Sequence, residues 1–320
     1  MELNEIYSSI RDDLLQVRDT IKSVGNTDFP WLSEQVGYVV SETGKSIRPA
    51  LTLLAGKFYD YDLTFLLPMA VSVELMHTAT LIHDDAIDKA LTRRGQATIN
   101  KIWGDEIAIL LGDYLFAKAG VYVADTRTPR VIKFFSQTLG TISSGEIAQF
   151  RGAFKLVKDR DSYFHRIYGK TASLFSLSTQ SGAILSKAPE ETVGIMKEYG
   201  DNLGTAFQIV DDILDFTSSE AVMGKPVGSD LTQGTLTLPA IMLTERYPDD
   251  NPVQRYFDGG GKENVDLAIE MVLSSPIIEE CYKTASEYRD RACRNLNALP
   301  DREERQRLRD LADYIVKQGR

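Results

Sequence analysis

The chain has 320 residues, of which 43% are apolar and 26% charged, with 46 acidic against 36 basic side chains and a formal net charge of −10. That length can bury a sizeable core, and the composition excludes a disordered or fibrous chain. The acidic balance excludes a protein that coats nucleic acid, so an anionic ligand has to be met by a local concentration of cations.

In chain order, the opening Met1-Glu2-Leu3-Asn4-Glu5 lacks the basic-then-apolar order of a signal peptide, which points to a cytoplasmic protein. Segment after segment then places apolar residues three and four apart, separated by short breaks such as Asn26 to Pro30, Asp125 to Pro129 and Lys187 to Pro189. Alternating runs joined by Asn-Gly or Asp-Gly turns are lacking, so the pattern predicts an all-α chain of roughly a dozen helices. No linker is rich enough to divide it and no fixed period repeats, so residues 1–320 read as one domain. The most apolar stretch, Ile107 to Ala124, is broken by Asp113 and Lys118 and reads as a buried helix, not a membrane span. Asp258-Gly259-Gly260-Gly261-Lys262 has no strand before it and reads as a plain loop. Cys281 and Cys293 stand twelve residues apart on one helical stretch, outside any CxxC or Cys/His spacing, which argues against a disulfide and against zinc.

The chemistry is concentrated in two DDxxD clusters, Asp84/Asp85/Asp88 and Asp211/Asp212/Asp215. Apolar and small residues dominate from Glu74 until the first aspartates arrive at i, i+1 and i+4, where helical spacing puts Asp84 and Asp88 on one face. Gln208, Asp211, Asp212 and Asp215 form a second polar stripe, with Phe207, Val210 and Leu214 marking the buried side. Like charges this close repel unless something positive sits between them, and a hard cation that shares its oxygen ligands between carboxylates and phosphates suits the spacing. One such cluster reads equally well as a solvated helix face; two, each flanked by apolar sequence, favour a metal site.

Cations mark where an anion would sit: Lys45 and Arg48 in Gly44-Lys45-Ser46-Ile47-Arg48-Pro49, Arg93-Arg94-Gly95 after the first cluster, Lys170-Thr171, and Gly224-Lys225-Pro226. Each alone is an ordinary surface charge. Against an acidic background, together they read as an anion site.

In order and spacing these blocks resemble the trans-polyprenyl diphosphate synthase family over nearly the whole chain, in particular its medium- and long-chain hepta- and octaprenyl members. The resemblance implies an isoprenoid synthase-type helical bundle around a central cavity, acting as a prenyltransferase. It implies that Asp84, Asp88 and Asp211 ligate Mg²⁺, three ions per active site, with Asp85, Asp212 and Asp215 in direct or water-bridged support. Arg93, Lys170, Thr171, Gln208 and Lys225 would hold an allylic diphosphate; Lys45, Arg48, His77 and Arg94 would hold isopentenyl diphosphate. Without that context His77 reads as a satisfied helix histidine. Gly145-Glu146-x-x-Gln149 is similar to a block lining the family's pocket. One position departs from the pattern: Thr235 in Gly234-Thr235-Leu236-Thr237-Leu238-Pro239 stands where the family usually has lysine, which puts one phosphate contact in doubt.

The implied reaction is ionisation, condensation and elimination, with charge stabilisation of the departing diphosphate as its main term and a dry apolar cavity protecting the allylic cation. The growing chain is expected to run back along the helix of the first cluster, past Thr80 or Ala79, then Met76, then Val73, about 16 Å from Asp84 at helical rise. Short-chain members of the family tend to place an aromatic residue four or five positions before the first aspartate, so Thr80 and Ala79 at those positions imply, by that resemblance, a product longer than geranylgeranyl diphosphate, with Phe116 or other residues of a neighbouring helix as candidate floor. The resemblance also implies a homodimer, with the Ile107 to Ala124 helix as its interface, and peripheral membrane contact for product release. Rival readings are a geranylgeranyl or farnesyl diphosphate synthase, a subunit of a heteromeric synthase, and a class I terpene cyclase, which usually lacks the second cluster and the Lys45/Arg48 site.

Overall fold

The structure, a computed structural model, describes residues 2–318 except 42–43, 94, 157–158 and 219–225. Helices α1 (Leu3–Ile6), α2 (Arg11–Ser23), α3 (Pro30–Ser41) and α4 (Ile47–Gly56) lead into α5 (Leu63–Ile87), the helix of the first aspartate cluster. Asp62 starts α5 by accepting a hydrogen bond from the Thr64 N–H at 2.9 Å. Beyond α5, Thr92–Arg93 pairs antiparallel with Gln96–Ala97, a minimal hairpin in a chain whose sequence pattern is helical throughout. Its turn is possible because Gly95 takes φ 81°.

Then come α6 (Ile99–Trp103), α7 (Asp105–Asp125), α8 (Pro129–Gly152) and α9 (Arg160–Ile167). One π-helical turn, Tyr168–Ala172, joins α9 to α10 (Ser173–Leu185), and α11 (Glu190–Thr217) carries the second cluster. The remainder is α12 (Ser229–Thr232), α13 (Leu238–Arg246), α14 (Pro252–Phe257), α15 (Glu263–Leu273), α16 (Ile277–Arg294) and α17 (Glu303–Lys317). Among the described residues thirteen α-helices reach eight residues or more, which matches the expected dozen. Cys281 and Cys293 both lie on α16 as free thiols.

Two apolar clusters form the interior, and α11 runs through both. Val193, Met196, Tyr199 and Leu203 belong to the first with α2, α4, α5 and α7; Ile209, Val210, Ile213 and Phe216 belong to the second with α13, α15 and α16. Where the end of the π turn meets α11 the backbones nearly touch: a Cβ on Gly204 would stand 2.5 Å from Ala172 Cα, so only glycine allows the approach. At the α5–α7 contact a Cβ on Gly112 would collide with the His83 ring.

Helices α5 and α7 are both long and apolar enough to cross a membrane by length and composition. In this fold α5 is largely interior, whereas α7 buries Ala108, Leu111, Leu115, Ala119 and Val123 and leaves Ile109, Leu110 and Val121 exposed. The sequence expectation of a buried helix over Ile107 to Ala124 therefore holds for one face. A helix apolar on every side has been covered by its own chain on only one.

Candidate active site

The last turn of α5 presents Asp84 and Asp85, and Asp88 closes it as the C-cap. Asp85 is buried and already engaged: the Arg93 guanidinium, delivered by the hairpin, donates from Nε to both carboxylate oxygens at 2.9 Å, with a second nitrogen 2.8 Å from Oδ1. Burial raises the Asp85 pKa and Arg93 opposes that rise. Arg93 also lies in the field of Asp84 and Asp211, so it stands between the two clusters.

Lys170 enters from the opposite wall. The π turn places Lys170 and Thr171, neighbours in sequence, against different partners, an irregularity common at functional sites. Lys170 Nζ is 2.7 Å from Glu146 Oε1 on α8 and 3.5 Å from Asp84 Oδ2. Burial disfavours its charge, yet Asp84, Glu146 and Asp88 outweigh burial and hold it protonated. Burial likewise raises the pKa of Asp88, with Lys170 opposing and Asp84 and Asp230 adding to the rise. Glu146 is raised by burial too, against the pull of Lys170.

Thr171 donates to Gln208 Oε1 at 2.5 Å, and Gln208 Nε2 donates to Asp212 Oδ1 at 2.9 Å. Asp212 is buried and pushed up to about 7 by desolvation, then by Asp230, with Gln208 and Tyr163 opposing. Asp215 is buried as well, and its Oδ2 accepts from the Asp230 N–H at 3.3 Å. Asp211 faces outward from the second cluster and Asp88 from the first, with Asp84 half-buried between them.

That inventory bears on a metal. Among the described residues no three His, Cys, Asp or Glu side chains close round a single point. Asp85, Asp212 and Asp215 are buried and carry the hydrogen bonds just described, while Asp88 and Asp211 are exposed and Asp84 is half-buried beside Lys170. A hard divalent ion that uses one or two carboxylates and completes its shell with phosphate oxygens and water fits this donor set; a metal needing a closed protein cage does not.

The remaining residues from the sequence lie as follows. Arg48 is buried at the start of α4, its guanidinium 4.9 Å over the Phe175 ring. Lys45 Nζ reaches Gln318 Oε1 at 2.5 Å, beyond the end of α17, and lies over the Tyr314 ring. His77 is half-buried on α5, and its backbone carbonyl accepts from the Thr80 hydroxyl at 2.7 Å. Val73, Met76 and Ala79 are fully buried in the first core cluster, and Thr80 is half-buried. With Ser72 bonded to the Ala119 carbonyl and His83 against Gly112, α7 runs antiparallel to α5, which brings Phe116 to the middle of that line; its ring meets His83 edge-on. Arg94 and Lys225 lie outside the described residues.

A groove of about 1130 Å³ opens on the other side of α8, between α9, the π turn and Gly234–Leu236. Gly145, Gln149 and Thr235 line it, together with Lys155 and Arg166, and none of the six cluster aspartates does. The departure at Thr235 thus falls in this groove, and its backbone N–H donates to the Asp230 carbonyl at 2.8 Å. Three site residues had weak or no sequence signal. Glu146 sat in a motif block without an assigned task, and Asp230, four residues beyond Gly224-Lys225-Pro226, and Tyr163, which donates to Asp212 Oδ2 at 2.7 Å, had none.

A sequence profile described as polyprenyl synthetase matches residues 29–272. Heptaprenyl diphosphate synthase component 2 of Geobacillus stearothermophilus is 38% identical over 99% of this chain and 99% of its own length. The chloroplastic solanesyl-diphosphate synthase 2 of Oryza sativa subsp. japonica is 36% identical over 99% of this chain and 80% of its own. Among solved structures, a decaprenyl diphosphate synthase from Rhodobacter capsulatus matches with a TM-score of 0.91 at 34% identity, covering 100% of both chains. A polyprenyl synthase from Caulobacter crescentus, complexed with calcium and isoprenyl diphosphate, matches with a TM-score of 0.94 at 28% identity, over 100% of this chain and 98% of that one.

Proposed function

We propose, since this chain belongs to the polyprenyl synthetase family, that it is a chain-elongating trans-prenyltransferase, condensing isopentenyl diphosphate with an allylic diphosphate to a product longer than geranylgeranyl diphosphate. The observation that carries this reading is the placement of Arg93 in the field of both clusters, through Asp84 and Asp211, with Lys170 beside Asp84 and Asp88.

Asp84, Asp88 and Asp211 would hold Mg²⁺, three ions per site, which would supply positive charge to the departing diphosphate. Arg93 and Lys170 bind the same group, and Asp85 fixes the Arg93 guanidinium in a two-oxygen clamp so that little reorganisation is needed as charge develops. Lys45, Arg48, His77 and Arg94 bind isopentenyl diphosphate. The allylic cation accepts electrons from the isopentenyl double bond, and the condensed cation loses a proton to the released diphosphate. Val73, Met76 and Ala79 keep the path beside α5 apolar, so water is kept from quenching the cation. The two free thiols suit a reducing, cytoplasmic setting.

The exposed Ile109, Leu110 and Val121 face of α7 supports self-association as a homodimer. A second reading has its own support: two relatives are named component 2 of a heptaprenyl diphosphate synthase, so the same face would meet a different subunit. The purified chain, incubated with isopentenyl diphosphate, an allylic primer and Mg²⁺, should release long polyprenyl diphosphates. No product from any primer favours the subunit reading, and a cyclised hydrocarbon would overturn the synthase reading.

A further inference from the structure

The first cluster is held by charged partners, Asp85 by Arg93 and Asp84 by Lys170. The second is held by a different device, a run of neutral donors. Thr171 donates to Gln208 Oε1, which fixes the orientation of the Gln208 amide, so that its Nε2 donates to Asp212 Oδ1. The other carboxylate oxygen, Oδ2, receives the Tyr163 hydroxyl at 2.7 Å. Tyr163 is itself buried at 3% exposure, its ring edge-on to Phe164 at 5.2 Å between centroids, so its hydroxyl has one direction in which to point. Burial and the neighbouring carboxylate keep that hydroxyl protonated, and therefore a donor. Asp212 is 2% exposed, whereas Asp211, one residue earlier, is exposed.

We infer that Tyr163 is a positioning residue: through Asp212 it sets the rotation of this stretch of α11, and hence the direction in which Asp211 meets the metal, while Asp212 itself ligates no ion. The inference rests on the proposed metal-dependent reading of the site. Outer hydrogen bonds of this kind typically account for about ten- to hundredfold in metal affinity, because they determine whether the ligating oxygen arrives pre-aimed.

The test uses the full-length chain, Mn²⁺ as a spectroscopic stand-in for Mg²⁺, and inorganic diphosphate to complete the site. Bound Mn²⁺ is counted by electron paramagnetic resonance, beside Mg²⁺-dependent turnover and thermal melting. Tyr163→Phe keeps the ring and removes the donor. It should bind Mn²⁺ about tenfold more weakly and need correspondingly more Mg²⁺ for half-maximal turnover, with KM for isopentenyl diphosphate unchanged. Asp212→Asn is the companion variant should Tyr163→Phe not fold; it should weaken binding while leaving the number of bound ions as in the wild type. Wild-type Mn²⁺ affinity in a folded Tyr163→Phe overturns the inference, as does loss of one bound ion in Asp212→Asn, since that would make Asp212 a ligand. If the wild type binds no Mn²⁺ with diphosphate, the proposed function falls and the inference with it; if the wild type binds and only the variants behave unexpectedly, the inference alone falls.

Discussion

Lys170 Nζ lies 3.5 Å from Asp84 Oδ2, a contact made between the π turn and the last turn of α5, and it also touches Glu146. One ammonium thus offsets a group of carboxylates whose pKa values burial has already raised at Asp88 and Glu146. Lys170→Met removes a cation that balances these carboxylates and, in the proposed reading, also meets the departing diphosphate. We expect kcat/KM to fall about 10²- to 10³-fold, the range for loss of one charge-stabilising group. Unfolding free energy should fall by about 1–3 kcal/mol, since carboxylates are left uncompensated in partial burial. Steady-state kinetics and urea melts check both, and a variant within tenfold of wild-type activity would remove Lys170 from the chemistry.

The crossing of the π turn and α11 is the second point at which the site depends on the fold. Gly204 admits Ala172 at a distance where a Cβ would stand 2.5 Å from its Cα, and the neighbouring Thr171 reaches Gln208 four residues further along α11. Gly204→Ala adds a better helix former, worth about 1 kcal/mol in an unobstructed helix. Here the methyl group forces two backbones apart, which overpacking puts at about 1–3 kcal/mol, so the net effect should be destabilising. Denaturant unfolding decides the sign: a variant stabilised by the full propensity gain would show that the crossing has room.

In the metal-free protein the buried Asp212 gives a pH signature. Its pKa is pushed up to about 7 by desolvation first and Asp230 second, against an ordinary value of 3.8. Between those values the folded state binds a proton that the unfolded state has released, so stability falls as pH rises through this window and levels off above it. Asp88 and Glu146, also raised, act in the same direction. Unfolding in EDTA at pH 5, 6, 7 and 8 should show the decline in the wild type and a shallower one in Asp212→Asn. Equal slopes would mean that Asp212 stays ionised.

What could be read from the sequence was local. Asp84 and Asp88, or Gln208 and Asp212, are four apart on a helix, so their spacing alone puts them on one side and names the chemistry. What could not be read was which oxygens would already be engaged. Tyr163 meets Asp212 across 49 positions and Glu146 meets Lys170 across 24, and neither pairing leaves a trace in nearby residue types. The π turn at Tyr168–Ala172 was equally hidden, because its shifted hydrogen bonds have no distinctive composition. The hairpin that delivers Arg93 is two residues a side, too short for an alternating pattern. Which face of α7 stays exposed is illegible for a related reason: apolar content reports that a helix needs cover, not that its own chain provides it.

The same limit applies to product length, where the structure turns a sequence argument into a choice between neighbours. Ala79 is fully buried, whereas Thr80, one residue nearer Asp84, is half-buried with its hydroxyl turned back to the His77 carbonyl. A phenylalanine at either position stands about one turn before the first aspartate, where it would stop the growing chain within the first unit or two of elongation, since one ~5.4 Å turn is comparable to one isoprene unit. The two differ in what the ring displaces. At 79 it must enter a fully buried position, costing about 1–3 kcal/mol in stability, whereas at 80 it has partly open space. Both Ala79→Phe and Thr80→Phe should therefore shorten the product, and only the first should lower the melting temperature appreciably. Chromatographic sizing of the dephosphorylated products, beside melting curves, reads the two effects separately. An unchanged product distribution in both variants would show that the chain does not grow along α5.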